Sequence, residues 1–249
     1  MNWEEAVIWL RNQKEQGDLV KACFYDDPLI GAAKRYWKST EWAAVRKYLP
    51  KEPGKVLDLG AGRGISSFAF AKDGWEVTAL EPDPSLLVGA GAIKKLARDA
   101  RLNIIVSREW GEKLPFTDEF FDVVFARQAL HHARDLSKLC AEMGRVLKKG
   151  GIFIATREHV ISRKEDLPVF LSNHPLHKLY GGENAFLLKE YLKAIKYANI
   201  RLTAVLNPIE SDINLYPRTN KYLPKIIAKL LGDLIEYPGR IYSFIGEKI

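Results

Sequence analysis

Cysteine and long apolar runs are what this 249-residue chain has least of. Cys23 and Cys140 are its only cysteines, far apart and without a second cysteine or a histidine at metal-ligand spacing. That excludes a disulfide framework and a zinc-ribbon fold, and predicts reduced, structural thiols. No apolar run reaches the roughly 18 residues of a membrane-spanning helix. The opening Met1-Asn2-Trp3-Glu4-Glu5 is acidic where a secretory signal is basic. A cytoplasmic location is the expectation. There is no internal repeat and no low-complexity stretch, so the chain reads as continuous. Nor is there an arginine-rich tract or an aromatic ribonucleoprotein motif. The net charge of +7 is spread among interleaved acidic residues, which predicts a solvated basic surface and makes nucleic acid an unlikely partner. Histidine is missing from the first 130 residues, and all five lie beyond them.

What is present is enough apolar content, 47% of 249 residues, for one sizeable core. Within residues 1–50, Trp3, Ala6, Val7 and Leu10 form one stripe at helical spacing, and Trp42, Val45 and Leu49 another. A helical cap over 1–50 is predicted. From Lys55 short apolar segments alternate with longer amphipathic ones, the pattern of a parallel sheet with helices on both faces. Strands are expected near Val56–Leu59, Glu76–Leu80, Asn103–Val106, Asp122–Phe125 and Ile152–Thr156. Helices are expected near Ile65–Lys72, Ser85–Asp99 and Leu136–Lys148.

The first functional signal is Gly60-Ala61-Gly62-Arg63-Gly64, between the first strand and its helix. Glycines there let the backbone pass close under a ligand and aim amide N–H groups at it from a helix start. A dinucleotide-binding turn has Gly-x-Gly-x-x-Gly, but here the third glycine comes one place early and Ile65 follows, which argues against a nicotinamide enzyme. The second signal is Glu81, which follows the second strand and precedes Pro82. A carboxylate at that sheet edge can accept hydrogen bonds from both hydroxyls of a ribose.

The run Val56-Leu57-Asp58-Leu59-Gly60-Ala61-Gly62-Arg63-Gly64 resembles the first motif of the class I S-adenosylmethionine-dependent methyltransferase family. Glu112-Lys113-Leu114-Pro115-Phe116, Phe121-Asp122-Val123-Val124, Leu130-His131-His132 and Arg145-Val146-Leu147-Lys148-Lys149-Gly150-Gly151 resemble its later motifs, in order. The likeness covers roughly Lys51 to Thr156. It implies a Rossmann-like, seven-stranded, mostly parallel sheet whose last strand, at Arg240–Gly246, runs antiparallel after a sixth at Ile200–Leu206. It further implies a catalytic domain over 51–249, with a lid insertion at about 162–184 and a helical insertion at about 211–237. The cofactor implied is S-adenosylmethionine. Asp58 would orient the turn, Gly60, Ala61, Gly62 and Gly64 would face the methionine part, and Glu81 with Pro82 would hold the ribose. Where the family offers an acidic residue to the adenine, Trp110 stands here, preceded by Glu109. Either Glu109 makes the polar contact or Trp110 stacks on the purine. Arg127 and Gln128 are expected beneath the sulfonium, although the arginine could equally be a salt-bridge residue.

An acceptor hydroxyl or amine must lose a proton, and histidine is the usual recipient. His131, His132 and His159 fall after the fourth and fifth strands, at the sheet edge where open α/β folds bind ligands, with His174 and His177 in the following loop. His131, His132 and His174 are the catalytic candidates. His174, His177 and Glu183 make too loose a set for a metal, so none is expected. Gly181-Gly182 could be a lid hinge or a turn before a helix near Ala185. Tyr222–Ile235 reads as an amphipathic helix that packs on its own sheet, the alternatives being docking on a membrane, covering a greasy substrate or making a homodimer. Asp-Pro-Pro-Tyr, common in amine- and base-directed relatives, is absent; Ala126-Arg127-Gln128-Ala129 stands there. A small-molecule acceptor methylated at oxygen or carbon is therefore the leading expectation. The alternatives are an RNA-modifying methyltransferase and a non-catalytic S-adenosylmethionine-binding protein.

Overall fold

The computed structural model describes residues 1–217 and 239–249, so the expected helix at Tyr222–Ile235 lies outside the described residues. Four short helices open the chain, α1 (Trp3–Arg11), α2 (Gly17–Ala22), α3 (Leu29–Trp37) and α4 (Thr40–Val45), as the cap pattern predicts. The alternating region follows as β1 (Lys55–Leu59), α5 (Ile65–Lys72), β2 (Glu76–Leu80), α6 (Ala90–Ala100), β3 (Ile104–Ser107), β4 (Phe121–Arg127), α7 (Leu136–Val146) and β5 (Leu147–Ile161). Then come α8 (Leu167–Asn173), α9 (His177–Tyr180), β6 (Phe186–Leu187), α10 (Leu188–Tyr197), β7 (Ile200–Leu206), α11 (Asp212–Leu215) and β8 (Arg240–Lys248).

The strands form one sheet in the order β3-β2-β1-β4-β5-β8-β7, with two-residue β6 beside β5. The pairs from β3 through β5 are parallel, while β8 is antiparallel to both β5 and β7. The expected sheet is thus present, with β6 added. Chain order reverses between β1 and β4, so the carboxyl ends of these strands splay apart into a crevice. Central β1 is buried from Val56 to Leu59, as a parallel strand covered on both faces must be. One core layer joins Leu57, Val124 and Phe153 to Met143 and Tyr191. The other joins Val56, Phe125 and Ile154 to Phe68, Phe70 and Trp42.

Trp42 binds cap to sheet. It is fully buried, meets Phe70 edge-on at 4.7 Å, and donates its indole N–H to Asp73, which also accepts from Trp37 and Arg46. Below it, Arg127 at the end of β4 donates to both carboxylate oxygens of Glu41 in α4, at 2.7 and 3.1 Å, between the rings of Phe24 and Tyr36.

Several boundaries depart from the periodicity for local reasons. The helix predicted from Ser85 starts at Ala90. Ser85 instead holds a turn, accepting at Oγ from the N–H groups of Leu87 and Val88. The helix predicted to reach Lys148 ends at Val146, because β5 begins at Leu147. Strand β5 continues past Thr156 through a bulge between Ala155 and Glu158. There Arg157 takes a positive φ of 59° and donates to the carbonyls of Ile213, Asn214 and Tyr216. The helix predicted near Ala185 starts at Leu188, since Phe186 and Leu187 first pair with Val160 and Ile161.

Glu41 is wholly shielded from solvent, so losing one partner of its pair leaves a buried charge uncompensated. Glu41→Ala is expected to cost about 3–5 kcal/mol in urea unfolding. Arg127→Ala should cost far less in that background than in the native chain. Full additivity of the two would show that the pair is not coupled.

Candidate active site

A cavity of about 770 Å³ opens at the carboxyl ends of β1, β2 and β4. Its floor is the glycine turn. Gly60, Gly62 and Gly64 all have positive φ, at 66°, 53° and 79°, a region L side chains avoid. A Cβ on Gly60 would also lie 2.7 Å from that of Ala129. Asp58 lies beneath this floor, almost fully buried, and accepts from the hydroxyls of Ser66 (2.7 Å) and Ser67 (2.5 Å) at the start of α5. Burial pushes its carboxyl up to about 6 against those donors. It therefore tethers the turn to its helix and does not line the cavity.

Glu81 lines the cavity with Pro82 and accepts from the backbone N–H of Gly62 (2.8 Å) and of Asp83 (3.0 Å). Burial outweighs these donors and pushes its carboxyl up to about 7. Of the two adenine-side candidates, Trp110 lines the cavity and Glu109 does not. The Trp110 ring is covered on one side by Arg134, 4.8 Å from its centroid. Arg127 and Gln128 both line the cavity, the Gln128 side chain accepting from Arg127 at 2.9 Å. Sequence reasoning missed Arg63. Its buried guanidinium donates to the carbonyls of Phe24, Asp26 and Leu87 and to the carboxylate of Asp27. An arginine embedded among turn glycines was the available signal.

The opposite wall is histidine. His131 is buried, with Nδ1 2.7 Å from one oxygen of Glu158 and Nε2 3.6 Å from Glu183. Burial alone would lower its imidazole, but the hydrogen bonds and charges of both carboxylates outweigh it and hold it up at about 9. Burial would raise Glu183, yet His131 and its neighbouring histidines bring it down to about 2. Glu158 also accepts from the backbone N–H groups of Ala129 and His131. Sequence reasoning missed it too, although a carboxylate inside apolar β5, next to His159, could have flagged it.

His132 is exposed at the cavity wall, Nδ1 3.0 Å from the Gly182 carbonyl. A carbonyl only accepts, so Nδ1 carries the hydrogen and Nε2 is the free basic nitrogen. The His174 Nδ1 accepts from the His177 N–H at 3.4 Å, and its Nε2 lies 4.0 Å from Glu183. His159 stacks obliquely between His131 (4.4 Å) and Phe170 (5.0 Å). His177 does not line the cavity. A nitrogen of His131, a nitrogen of His159 and an oxygen of Glu183 all lie within 4.8 Å of one another. That grouping differs from the set weighed on spacing alone. Trp3 of α1 lines the cavity, 5.7 Å from Tyr25 and 5.3 Å from Tyr180 of α9.

A glycine turn and an acidic strand end at the switch point of such a sheet define a Rossmann-like nucleoside-binding domain. Residues 57–155 match the family model described as a methyltransferase domain. The chain is 32% identical over 128 residues to the ubiquinone/menaquinone biosynthesis C-methyltransferase UbiE of Zymomonas mobilis, covering 51% of each chain. It is 34% identical over 149 residues to a demethylmenaquinone methyltransferase of Thermobifida fusca, covering 59% of this chain and 56% of the relative. It thus spans about half the length of these curated relatives. A geranyl diphosphate C-methyltransferase from Streptomyces coelicolor, solved with S-adenosyl-L-homocysteine, superposes with a TM-score of 0.66 at 14% identity, over 90% of this chain and 85% of that one. Residues 57–155 are thus similar to a methyltransferase domain, and the sheet around them has the Rossmann-like fold of that solved structure. Among the described residues no helix is long and apolar enough to cross a membrane.

The raised Glu81 carboxyl has a stability signature. The folded chain holds this proton more tightly than the unfolded chain between pH 4.5 and about 7, so stability falls as pH rises through that window. Asp58 adds the same sign at slightly lower pH. Glu81→Gln removes the Glu81 part. Wild type should lose up to about 3 kcal/mol relative to the variant between about pH 4.5 and about pH 8, measured by urea unfolding across pH. A pH-independent difference would contradict the burial argument.

Proposed function

We propose that this chain transfers a methyl group from S-adenosylmethionine to a small-molecule acceptor, at oxygen or carbon. The observation that carries this reading is that one cavity joins the glycine turn and Glu81 to a histidine wall beneath a lid. The residues present suit the methyl donor. Positive φ at the three glycines leaves room for a ligand backbone-close, Glu81 keeps lone pairs free beyond its two backbone donors, and Trp110 offers an open aromatic face. In this reading Gly60, Ala61, Gly62 and Gly64 lie along the methionine part, and Glu81 accepts from the ribose hydroxyls beside Pro82. Trp110 stacks on the purine, while Arg127 and Gln128 form the floor near the reacting centre.

When bound, S-adenosylmethionine supplies a methyl group already activated on a sulfonium, open to in-line displacement. The protein aligns the acceptor and keeps water out. Cap and lid do the latter through the contacts of Trp3 with Tyr25 and Tyr180. His132 is the residue we assign to the acceptor proton, since its Nε2 is unengaged among the described residues. His174 has its Nδ1 committed to a backbone N–H, and His131 is flanked by two carboxylates. Both therefore position Glu183. The quinone-biosynthesis methyltransferases among its relatives support a partly apolar, ring-bearing acceptor, as do the aromatic walls.

Incubation with methyl-labelled S-adenosylmethionine and fractionated extracts tests this directly. A labelled small molecule is expected. Label recovered in RNA, or tight S-adenosylhomocysteine binding with no label transferred to anything, would overturn the reading. Glu81→Ala should weaken S-adenosylhomocysteine binding by about 1.5–3 kcal/mol in calorimetry. His132→Ala should lower turnover about 10²–10⁴-fold while sparing that binding. Unchanged turnover would remove His132 from the chemistry.

A further inference from the structure

We propose that His131, His159 and Glu183 form a site for a divalent first-row transition metal whose remaining coordination positions face the cavity and take an oxygen of a small-molecule ligand. The inference rests on this cluster and stands whether or not the chain transfers methyl groups.

Four observations carry it. First, two imidazole nitrogens and one carboxylate oxygen converge within 4.8 Å. They come from three separate segments: the turn after β4, strand β5 and the lid loop. Three protein donors leave positions open, as in sites that bind a ligand on the metal. Second, the ring is oriented. Glu158 is wholly buried and can only accept, so the His131 Nδ1, 2.7 Å away, donates to it and Nε2 points toward Glu183, where a metal would take the place of its proton. An outer carboxylate orienting a ligating imidazole is the recurrent support of histidine metal sites.

Third, the His159 ring is held between His131, Phe170 and His174 and lines the cavity, and its nitrogens make no hydrogen bond among the described residues, so either is open to a ligand. Fourth, two shielded carboxylates, Glu158 and Glu183, bracket His131, and His174 lies 4.0 Å from Glu183 as that carboxylate's outer contact, so a dication held there would have two carboxylates close by. Two nitrogens to one oxygen favours Zn²⁺, Fe²⁺ or Co²⁺ over Mg²⁺ or Ca²⁺, which prefer all-oxygen sets.

The test strips purified protein with a chelator and titrates it with Zn²⁺, Co²⁺ and Mg²⁺ by calorimetry. Metal content after desalting and the visible absorption of the Co²⁺ form are read alongside. Expected are one retained equivalent of Zn²⁺ or Co²⁺ per chain, weak Mg²⁺ binding, and ligand-field bands. Glu158→Gln should weaken Zn²⁺ about 10–100-fold. His159→Ala and Glu183→Ala should abolish retention, and His177→Ala should leave it intact. Circular dichroism melts confirm folding; Glu183 sits on a loop, so its variant decides the matter if His159→Ala fails to fold. No retained equivalent, Mg²⁺ binding as tight as Zn²⁺, or undiminished binding in Glu183→Ala would overturn the proposal. No methyl transfer is measured, so this outcome and that of the labelling experiment are independent.

Discussion

The Arg63 guanidinium, its side chain 4% exposed, is where the cap, the glycine turn and the segment leading into α6 meet. Gly62 and Gly64 take left-handed backbone on either side of it, and its side chain reaches into the cap. There it satisfies the carbonyls of Phe24 and Asp26 and, on the other side, that of Leu87. Without it those carbonyls would be left without this partner and the wall formed by Cys23, Phe24 and Tyr25 would lose its seat. The turn that floors the cavity and the cap that walls it are thus held by the same residue. A planar fork of fixed donors suits this task, whereas a lysine ammonium would reach one or two of the acceptors.

Around that seam the chain concentrates buried charge. Glu41 with Arg127, Asp58, Glu81, and Glu158 with His131 and Glu183 all border or underlie one cavity. Each carries a desolvation cost that apolar side chains of similar volume would avoid. Clustering of perturbed groups in a single cleft is the mark of a site shaped for chemistry at the expense of stability. The two sides use burial differently. Under the glycine turn, isolated carboxylates are pushed up. On the histidine wall, carboxylates and imidazole pair and draw one another toward their charged forms.

Much of the fold was legible because local physics and tertiary demand agree there. The apolar run Val56-Leu57-Asp58-Leu59 ends in glycines, and a buried parallel strand followed by a tight turn is its only comfortable state. The departures fall where a side chain competes with helix or strand. Ser85 caps a turn with its hydroxyl and delays α6. Arg157 bulges β5 by seeking three distant carbonyls. Phe186 and Leu187 pair with β5 before α10 can begin. The partners of Arg157 and of Phe186 and Leu187 are not near in sequence, so periodicity could not announce them.

The sequence by itself determined the glycine turn and the carboxylate one strand later, because they are local features whose geometry follows from backbone sterics. It also announced that histidines gather after the fourth strand. Only the tertiary structure decided what those histidines face. Glu158 comes from β5, Glu183 from the lid and Trp3 from the first helix. Their convergence depends on a strand bulge, a two-residue strand pairing and the packing of the cap, each a long-range contact that no local pattern encodes.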